Sequence, residues 1–221
     1  MSNEPYITED SLELSKMFHE IKNPLTLINS SLQLIESDHP EVKTFRFWNQ
    51  TMKDVSNLRL LIDDLSSFQK GNVLHKTKIN LFDFVEDLLE STEGFLLEKG
   101  TPLTVESTID DLDFYADEIK LRQAIVNLLK NAAESSDIGS SILLQLSADH
   151  EHLHITVTDN GCGMSDEHVS KIFEPFHTTK SYGTGLGLPI VKKIMKSHNG
   201  TLSIQSKEGV GTAITLDLPL S

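Results

Sequence analysis

A histidine beside a carboxylate is the first candidate for chemistry in this chain. His19 and Glu20 lie in a segment, Phe18–Leu25, whose apolar residues recur at intervals of three and four. At about 100° per residue, His19 lies roughly 140° from the middle of that apolar stripe, which predicts an exposed side chain. Asn23 shares its face one turn later, and Pro24 predicts a kink beside it. An exposed imidazole is an accessible nucleophile, but taken alone such a residue is more often a solvated surface histidine.

A second group of polar residues lies in a predicted helix more than a hundred residues later. Asn127 and Asn131 are one turn apart, with Lys130 between them. Two amide oxygens on one face, flanked by a cation, suit a magnesium–triphosphate group, although asparagines at this spacing are also common on solvated faces. Asp159 then follows a predicted strand directly, in the stretch 159–163. A carboxylate there can accept a hydrogen bond from the amino group of a base, whereas the alternative is an ordinary Asp-Gly turn.

A glycine-rich run, residues 183–188, opens a predicted helix. The backbone N–H groups of such a loop, together with the positive end of the helix, bind phosphate. A dinucleotide-binding fold is disfavoured because the run follows a loop and no later acidic residue suits a ribose. The chain also contains no P-loop. Just before the run, Phe173 and Phe176 precede a polar segment, residues 177–182.

Two amphipathic helices position the histidine. The first is predicted from near Thr8 to near Ser37, and a turn at Asp38-His39-Pro40 precedes the second. Two helices alone cannot enclose a core, so the pattern predicts pairing with a second copy in a four-helix bundle dimer. The alternative is that the hairpin packs on the rest of its own chain. The two apolar stripes consist of Leu14, Phe18, Ile21, Leu25, Ile28, Leu32 and Ile35, and of Phe45, Trp48, Met52, Val55, Ile62 and Leu65.

The remaining elements position the polar motifs. Residues 1–70 are predicted to be the helical hairpin, 71–79 a linker, and 80–221 an α+β domain, an α/β sandwich with helices on one face of a sheet. Its predicted helices begin at an Asn80 N-cap and end before Gly100, span 117–135 with Ile119, Ala124, Ile125, Leu128 and Ala132 inside, and span 186–196. Its predicted strands are 102–107, 112–115, 141–147, 152–158, 202–205 and 213–218.

Composition excludes several classes of protein. The 221 residues carry a net charge of −14, which argues against unguided binding to nucleic acid and against attraction to anionic membranes. The single cysteine, Cys162, excludes an intrachain disulfide and a cysteine zinc site, and favours a reducing compartment. No apolar run approaches the ~18 residues of a membrane span, and the N-terminus lacks a signal-peptide pattern. We expect a cytoplasmic chain without direct membrane contact; a membrane-bound sensor part upstream remains open.

The other histidines show no metal-ligand spacing with carboxylates. His152 and His154 share one strand face, which favours a solvated or half-buried pair over a metal site.

Taken in order, these motifs resemble those of the histidine protein kinases of two-component systems, whose ATP-binding domain is of the gyrase, heat-shock, kinase and mismatch-repair type. The match covers nearly the whole chain. The five boxes of that family resemble His19–Pro24 (H), Asn127–Asn131 (N), Asp159 with Gly161 and Gly163 (G1), Phe173 with Phe176 (F), and Gly183 with Gly185 and Gly187 (G2). The stretch with Thr178, Thr179 and Lys180 is most similar to nitrogen-regulation and sporulation-type kinases. His177 departs from that subgroup, which often has another aromatic residue there.

The resemblance implies an ATP-dependent autokinase that phosphorylates His19, with Glu20 orienting or deprotonating the imidazole. The phosphoryl group would then pass to an aspartate of a separate response regulator, and Asn23 would position a water for a phosphatase activity toward that regulator. Mg²⁺ would be held by Asn127 and Asn131. The residues implied to bind ATP are Asn127, Lys130, Asn131, Asp159, Gly161, Gly163, Phe176, Thr179, Lys180, Gly183, Thr184, Gly185, Leu186, Gly187 and Thr212.

Two alternatives stay open beside the autokinase. One is a regulatory module that dimerises and holds a response regulator or a nucleotide but barely phosphorylates. The other is a serine kinase of the anti-sigma type, which shares the ATP boxes but lacks a helical hairpin with an H box, so the first seventy residues argue against it.

Overall fold

The computed structural model describes residues 9–69, 73–109, 111–180 and 183–220, and side chains from residue 16 onward. Contacts divide the chain into two compact units. The first comprises Met1–Gly71 with Thr178–Leu186, and the second comprises Asn72–His177 with Gly187–Ser221. Within the described ranges, no helix combines the length and the apolar character that crossing a membrane requires.

The described residues form six α-helices and seven β-strands. The helices are Glu9–Asp38 (α1), Trp48–Gln69 (α2), Leu81–Lys99 (α3), Glu118–Ser135 (α4), Asp166–Lys171 (α5) and Gly187–Ser197 (α6). The strands are Thr77–Asn80 (β1), Leu103–Ser107 (β2), Asp113–Ala116 (β3), Ile142–Ala148 (β4), His152–Asp159 (β5), Thr201–Lys207 (β6) and Gly211–Pro219 (β7).

The first unit contains the predicted helical hairpin, with one correction at its turn. Pro40 begins a short 3₁₀ helix, Pro40–Thr44, where a simple tight turn was expected. Proline suits the first position of a helix because its missing N–H would have no intrahelical partner there. Phe45 lies after this 3₁₀ helix and is 59% exposed, so it does not belong to the apolar face of α2.

The core of the hairpin is small. Phe18 and Leu25 of α1 are buried against Ile62 of α2, with Val55 and Leu65 packed at the edge. The predicted stripe on α1 is only partly covered, because three of its members remain open to solvent. Their exposed fractions are 39% for Ile21, 50% for Ile28 and 42% for Ile35. The side chain of Leu14 lies outside the described residues.

The second unit is an α+β sandwich, as predicted. Its five-stranded sheet has the order β2-β4-β5-β7-β6 and is mixed, because β2 pairs parallel to β4 while the other pairs are antiparallel. Strands β1 and β3 form a separate antiparallel pair. Residues 71–79 were predicted to be a linker, and the strand at its end was not predicted: Thr77–Ile79 pair with β3.

The residues predicted to begin and end α3 do so in the structure. The side chain of Asn80 accepts hydrogen bonds from the N–H groups of Phe82 and Asp83, and Gly100 ends the helix with a φ of 66°. The prediction for α4 was wrong at Ile119, which is 81% exposed. Ile119 lies in the first turn, before the buried face begins at Leu121.

Helix α5 was not predicted. It has only six residues, too few for an apolar period to be visible. A signal was nevertheless present: Ser165 caps the helix by accepting the N–H of His168, and Asp166 and Glu167 occupy its first turn.

Candidate functional site

Asn127 and Asn131 meet the first residue of α6 in the second unit. The Asn127 side-chain nitrogen donates to the carbonyl oxygen of Gly187 at 3.4 Å. A Cβ at Gly187 would lie 3.8 Å from the Asn131 amide nitrogen. A carbonyl only accepts, so this contact places the nitrogen of the Asn127 amide toward Gly187 and leaves its oxygen to face other groups. Lys130 lies on the exposed side of the same helix.

Asp159 lies at the end of β5 and is only 7% exposed. Its Oδ1 accepts the backbone N–H of Gly161 at 2.8 Å, which shapes the turn after the strand. Thr212 is the register partner of Asp159 on β7, and its hydroxyl shares a hydrogen bond of 2.9 Å with Ser206. The hydrogen bond to the Gly161 N–H is that of an ordinary Asx turn, and the near burial of the carboxylate is what distinguishes this site.

Gly161 and Gly163 have a packing role that their sequence pattern does not reveal. A Cβ at Gly161 would lie 2.3 Å from the carbonyl oxygen of Ser135, and one at Gly163 would lie 2.0 Å from that of Lys207. Gly163 also has a φ of 62°, which side chains disfavour. Between them, the N–H of Cys162 donates to Ser135 at 3.1 Å. Ser135 lies one helical turn after Asn131, so α4 connects the asparagines at 127 and 131 with the loop at residues 159–163.

The aromatic residues of the predicted F box take different positions. The Phe173 ring lies 5.3 Å from the ammonium of Lys192 on α6. Phe176 is 60% exposed and has a φ of 66°, an unusual value for a bulky residue. Beside them, the rings of His168 and His177 meet edge to face at 5.3 Å.

The segment Thr178–Leu186 belongs to the first unit. The Thr184 hydroxyl donates to Asp64 of α2 at 2.6 Å, and Leu186 is fully buried.

The Lys180 N–H donates to the Thr178 hydroxyl at 3.1 Å. Thr179 is exposed, and Gly185 has a φ of 65°. Gly183 approaches Thr178 so closely that a Cβ would lie 2.5 Å from its hydroxyl oxygen. Ser181 and Tyr182 lie outside the described residues.

His19, Glu20 and Asn23 all have exposed side chains on α1, as their positions in the helical pattern predicted. Pro24 lies inside the helix. Close by, Lys22 forms an ion pair of 2.6 Å with Asp63 of α2.

His152 and His154 are half-buried, as expected, and carboxylates surround the second ring. His154 Nδ1 lies 2.6 Å from Asp217, and its Nε2 lies 3.3 Å from Asp149. The bond to Asp217 is the main cause that raises the pKa of His154. Backbone N–H groups, chiefly that of Glu151, lower the pKa of Asp149 to about 2. In the described part of the chain, no three His, Cys, Asp or Glu residues are grouped so that they could hold a metal ion.

Comparison with known proteins connects this geometry to one family. Residues 116–221 match the histidine kinase-, DNA gyrase B-, and HSP90-like ATPase family. Sporulation kinase B of Bacillus subtilis is 32% identical, in an alignment that covers 91% of this chain and 47% of that protein. The chain thus spans about half the length of such relatives.

Two solved structures share the fold at lower identity. The first is full-length ShkA in complex with AMPPNP, with a TM-score of 0.78, 22% identity, and coverage of 95% of this chain and 46% of that one. The second is the histidine kinase ThkA in complex with the response regulator TrrA, with a TM-score of 0.69, 24% identity, and coverage of 95% and 61%. These structures show the fold, and the sequence comparisons show the family of one part: residues 116–221 belong to the histidine kinase-, DNA gyrase B-, and HSP90-like ATPases, in a chain that is similar over 91% of its length to a sporulation kinase.

Proposed function

We propose that this chain autophosphorylates His19 with ATP and passes the phosphoryl group to an aspartate of a response regulator. One observation carries the proposal. An exposed histidine followed by a glutamate lies on a two-helix hairpin, in a chain whose other part matches an ATPase family. In this proposal residues 1–70 supply the phosphoacceptor, residues 80–221 hold ATP, and residues 71–79 link these two parts of the chain. A cytoplasmic location accords with the single cysteine.

The residues present fit a magnesium nucleotide. Asp159, nearly buried at a strand end, would accept a hydrogen bond from the adenine amino group. Amide oxygens are hard ligands, and they suit an Mg²⁺ ion that is bound to the phosphate oxygens of ATP. The contact of Asn127 with Gly187 already orients one such amide. When bound, the cation neutralises phosphate charge. The residues proposed to line the phosphates are Lys130, Asn131, Lys180, Gly183, Gly185 and Gly187.

The proposed reaction at His19 needs little covalent assistance from other residues. Phosphoryl transfer needs positioning and charge neutralisation more than covalent help from the protein. A neutral imidazole nitrogen attacks the γ-phosphorus, the bond to the leaving ADP oxygen breaks, and the other ring nitrogen gives up its proton. Glu20, adjacent on the helix and exposed, would accept that proton or orient the ring.

Asn23 supports a second activity. It lies one turn after His19 and is also exposed, so a regulator docked at His19 would meet both side chains. A side-chain amide can hold a water by both donating and accepting. We therefore propose that Asn23 positions the water that hydrolyses the phosphorylated regulator.

A homodimer would explain the open apolar surface of the hairpin. Ile21, Ile28 and Ile35 follow the stripe that contributes Phe18 and Leu25 to the core, yet remain 39–50% exposed. On α2, Leu58 and Leu60 are 46% and 50% exposed. Exposed apolar side chains at seven-residue intervals along α1 favour a partner, and a second hairpin would complete a four-helix bundle.

Labelling with ATP tests the main proposal. The parent chain, incubated with γ-labelled ATP and Mg²⁺, should acquire an acid-labile, base-stable label, and His19→Gln should abolish it. His39→Gln is the matched control, because His39 is an exposed histidine on the same hairpin and should leave the label unchanged. No label on the parent would favour the regulatory-module alternative, and full label on His19→Gln would contradict the assignment of the acceptor.

A further inference from the structure

A buried histidine joins the ends of two helices. His198, 1% exposed, directly follows α6. Its Nδ1 lies 2.9 Å from the carbonyl oxygen of Ile194, and its Nε2 lies 3.0 Å from the backbone nitrogen of Asp117, the N-cap of α4. A carbonyl only accepts and an N–H only donates. These two partners therefore require a neutral imidazole that carries its proton on Nδ1.

Helices α4 and α6 are consequently attached to each other at two places. The start of α6 meets α4 through the bond from Asn127 to Gly187, and its end meets the start of α4 through His198. At 1.5 Å per residue, the attachments are separated by about 15 Å along α4 and about 16 Å along α6. The helices are therefore antiparallel and in register, with one attachment at the candidate nucleotide site and the other at the opposite end.

We propose that His198 is a positioning residue for the nucleotide site. Its neutral ring sets the register of α6 along α4, and that register holds Asn127 and Asn131 at the first turn of α6. The proposal rests on the proposed binding of ATP at this site. His198 itself touches neither Asn127 nor Gly187, so it acts only through the two helices.

Protonation of the ring would remove the attachment. A protonated Nε2 cannot accept the Asp117 N–H, and two donors would then face each other in a buried place.

The charged groups that face His198 are Asp117 and Lys120 on α4 and Lys76 before β1. Burial is the main cause that lowers the pKa of His198, so the neutral form persists in the folded protein through neutral pH. The attachment therefore persists at the ordinary value near 6.5 and is lost only as pH falls through the lowered pKa of His198 in the folded protein.

Two substitutions separate the two hydrogen bonds of the ring. In His198→Gln, the side-chain oxygen reaches about as far as Nε2 and can accept the Asp117 N–H without titrating. In His198→Asn, the shorter amide can occupy the place of Nδ1 near Ile194 but does not reach Asp117. Both variants introduce a buried amide of similar polarity, so they are matched for general destabilisation.

Equilibrium binding of ATP with Mg²⁺ to the full chain tests the proposal, with urea unfolding of each variant measured alongside. At pH 7.5, His198→Gln should bind ATP about as tightly as the parent, and His198→Asn about 5- to 10-fold more weakly. As pH falls through the lowered pKa of His198, the parent should lose affinity more steeply than His198→Gln, since protonation of ATP itself is common to both. Equal affinities of the Asn and Gln variants at pH 7.5 would overturn the proposal. A parent that binds no ATP at pH 7.5 would instead overturn the proposed function.

Discussion

Three exposed side chains within little more than one turn of α1 carry the proposed reactions: His19, Glu20 and Asn23. Each is an ordinary surface residue by itself. His19 and Asn23 are four residues apart and share one face of the helix, and Glu20 directly follows His19; the proposed roles are nucleophile, water-binding amide and base, respectively. Because none is buried, the proposed reactions require a partner that brings a phosphoryl group to this exposed surface.

Asn23→Ala should therefore separate the two activities. We expect autophosphorylation of His19 to be retained, because the amide takes no part in the attack on ATP. Dephosphorylation of a phosphorylated receiver domain should fall at least about 10-fold, in the range that loss of a positioned catalytic group produces. Release of phosphate from labelled regulator, measured with ADP and Mg²⁺, provides the readout. A variant that releases phosphate as fast as the parent would remove Asn23 from the mechanism.

Among the elements, α4 organises the second unit. Its middle carries Asn127 and Asn131, its N-cap Asp117 accepts N–H bonds from His75 and Lys120, and its last residue, Ser135, accepts the N–H of Cys162. These N–H bonds outweigh burial, the largest single effect, and lower the pKa of Asp117. The loop after β5 can approach α4 so closely only because Gly161 has no side chain.

Gly163→Ala tests the close packing of the same loop two residues further along, where it meets Lys207. A Cβ there meets the carbonyl of Lys207 at 2.0 Å, and the φ of 62° adds about 1–2 kcal/mol of backbone strain. We expect a loss of at least about 2 kcal/mol in the free energy of unfolding, measured with urea and circular dichroism.

Gly94→Ala is the matched control for that substitution. Gly94 lies inside α3, where a Cβ meets nothing within 4 Å. The substitution should stabilise the chain by about 0.5–1 kcal/mol, because alanine loses less backbone entropy in a helix. If Gly163→Ala unfolded at the same urea concentration as the parent while ATP binding fell, the glycine would serve the ligand and not the packing.

At the scale of the whole molecule, the hairpin and the α+β unit have unequal cores. The α+β unit buries many side chains between its sheet and helices, whereas Phe18, Leu25 and Ile62 are the buried members of the hairpin cluster. At about 1.5–3 kcal/mol for each fully buried side chain, this cluster contributes far less than the core of the α+β unit. A second copy would add the exposed isoleucines of α1 to this core.

Ile28→Glu should consequently weaken dimerisation. Ile28 is 50% exposed in the single chain, so a glutamate there fits the hairpin itself but places an unpaired charge in the proposed bundle. Sedimentation at micromolar concentration should give about twice 24.7 kDa for the parent and a shift toward 24.7 kDa for the variant. Gln33→Glu, about 140° away on the helix, is the control and should stay dimeric. A parent of 24.7 kDa alone would contradict the four-helix arrangement.

Local patterns determined much of this protein. The apolar period of 3.6 predicted the bounds of α1 nearly to the residue, the Asn80 and Gly100 signals predicted the ends of α3, and alternation predicted strands β2 to β7. These succeed because capping, turns and periodicity depend on residues that are neighbours in sequence. The same patterns predicted the exposure of His19, and motif order predicted the family.

Tertiary structure alone decided the features that join distant residues. Strand β1 was missed because its four residues form a strand only by pairing with β3, and Ile119 was misplaced because periodicity does not reveal where a buried face begins. The packing of Gly161 and Gly163 against Ser135 and Lys207 was equally invisible. So was the burial of His198: its partners are 4 and 81 residues away, and only the packing of α6 on α4 removes it from water and selects its neutral form.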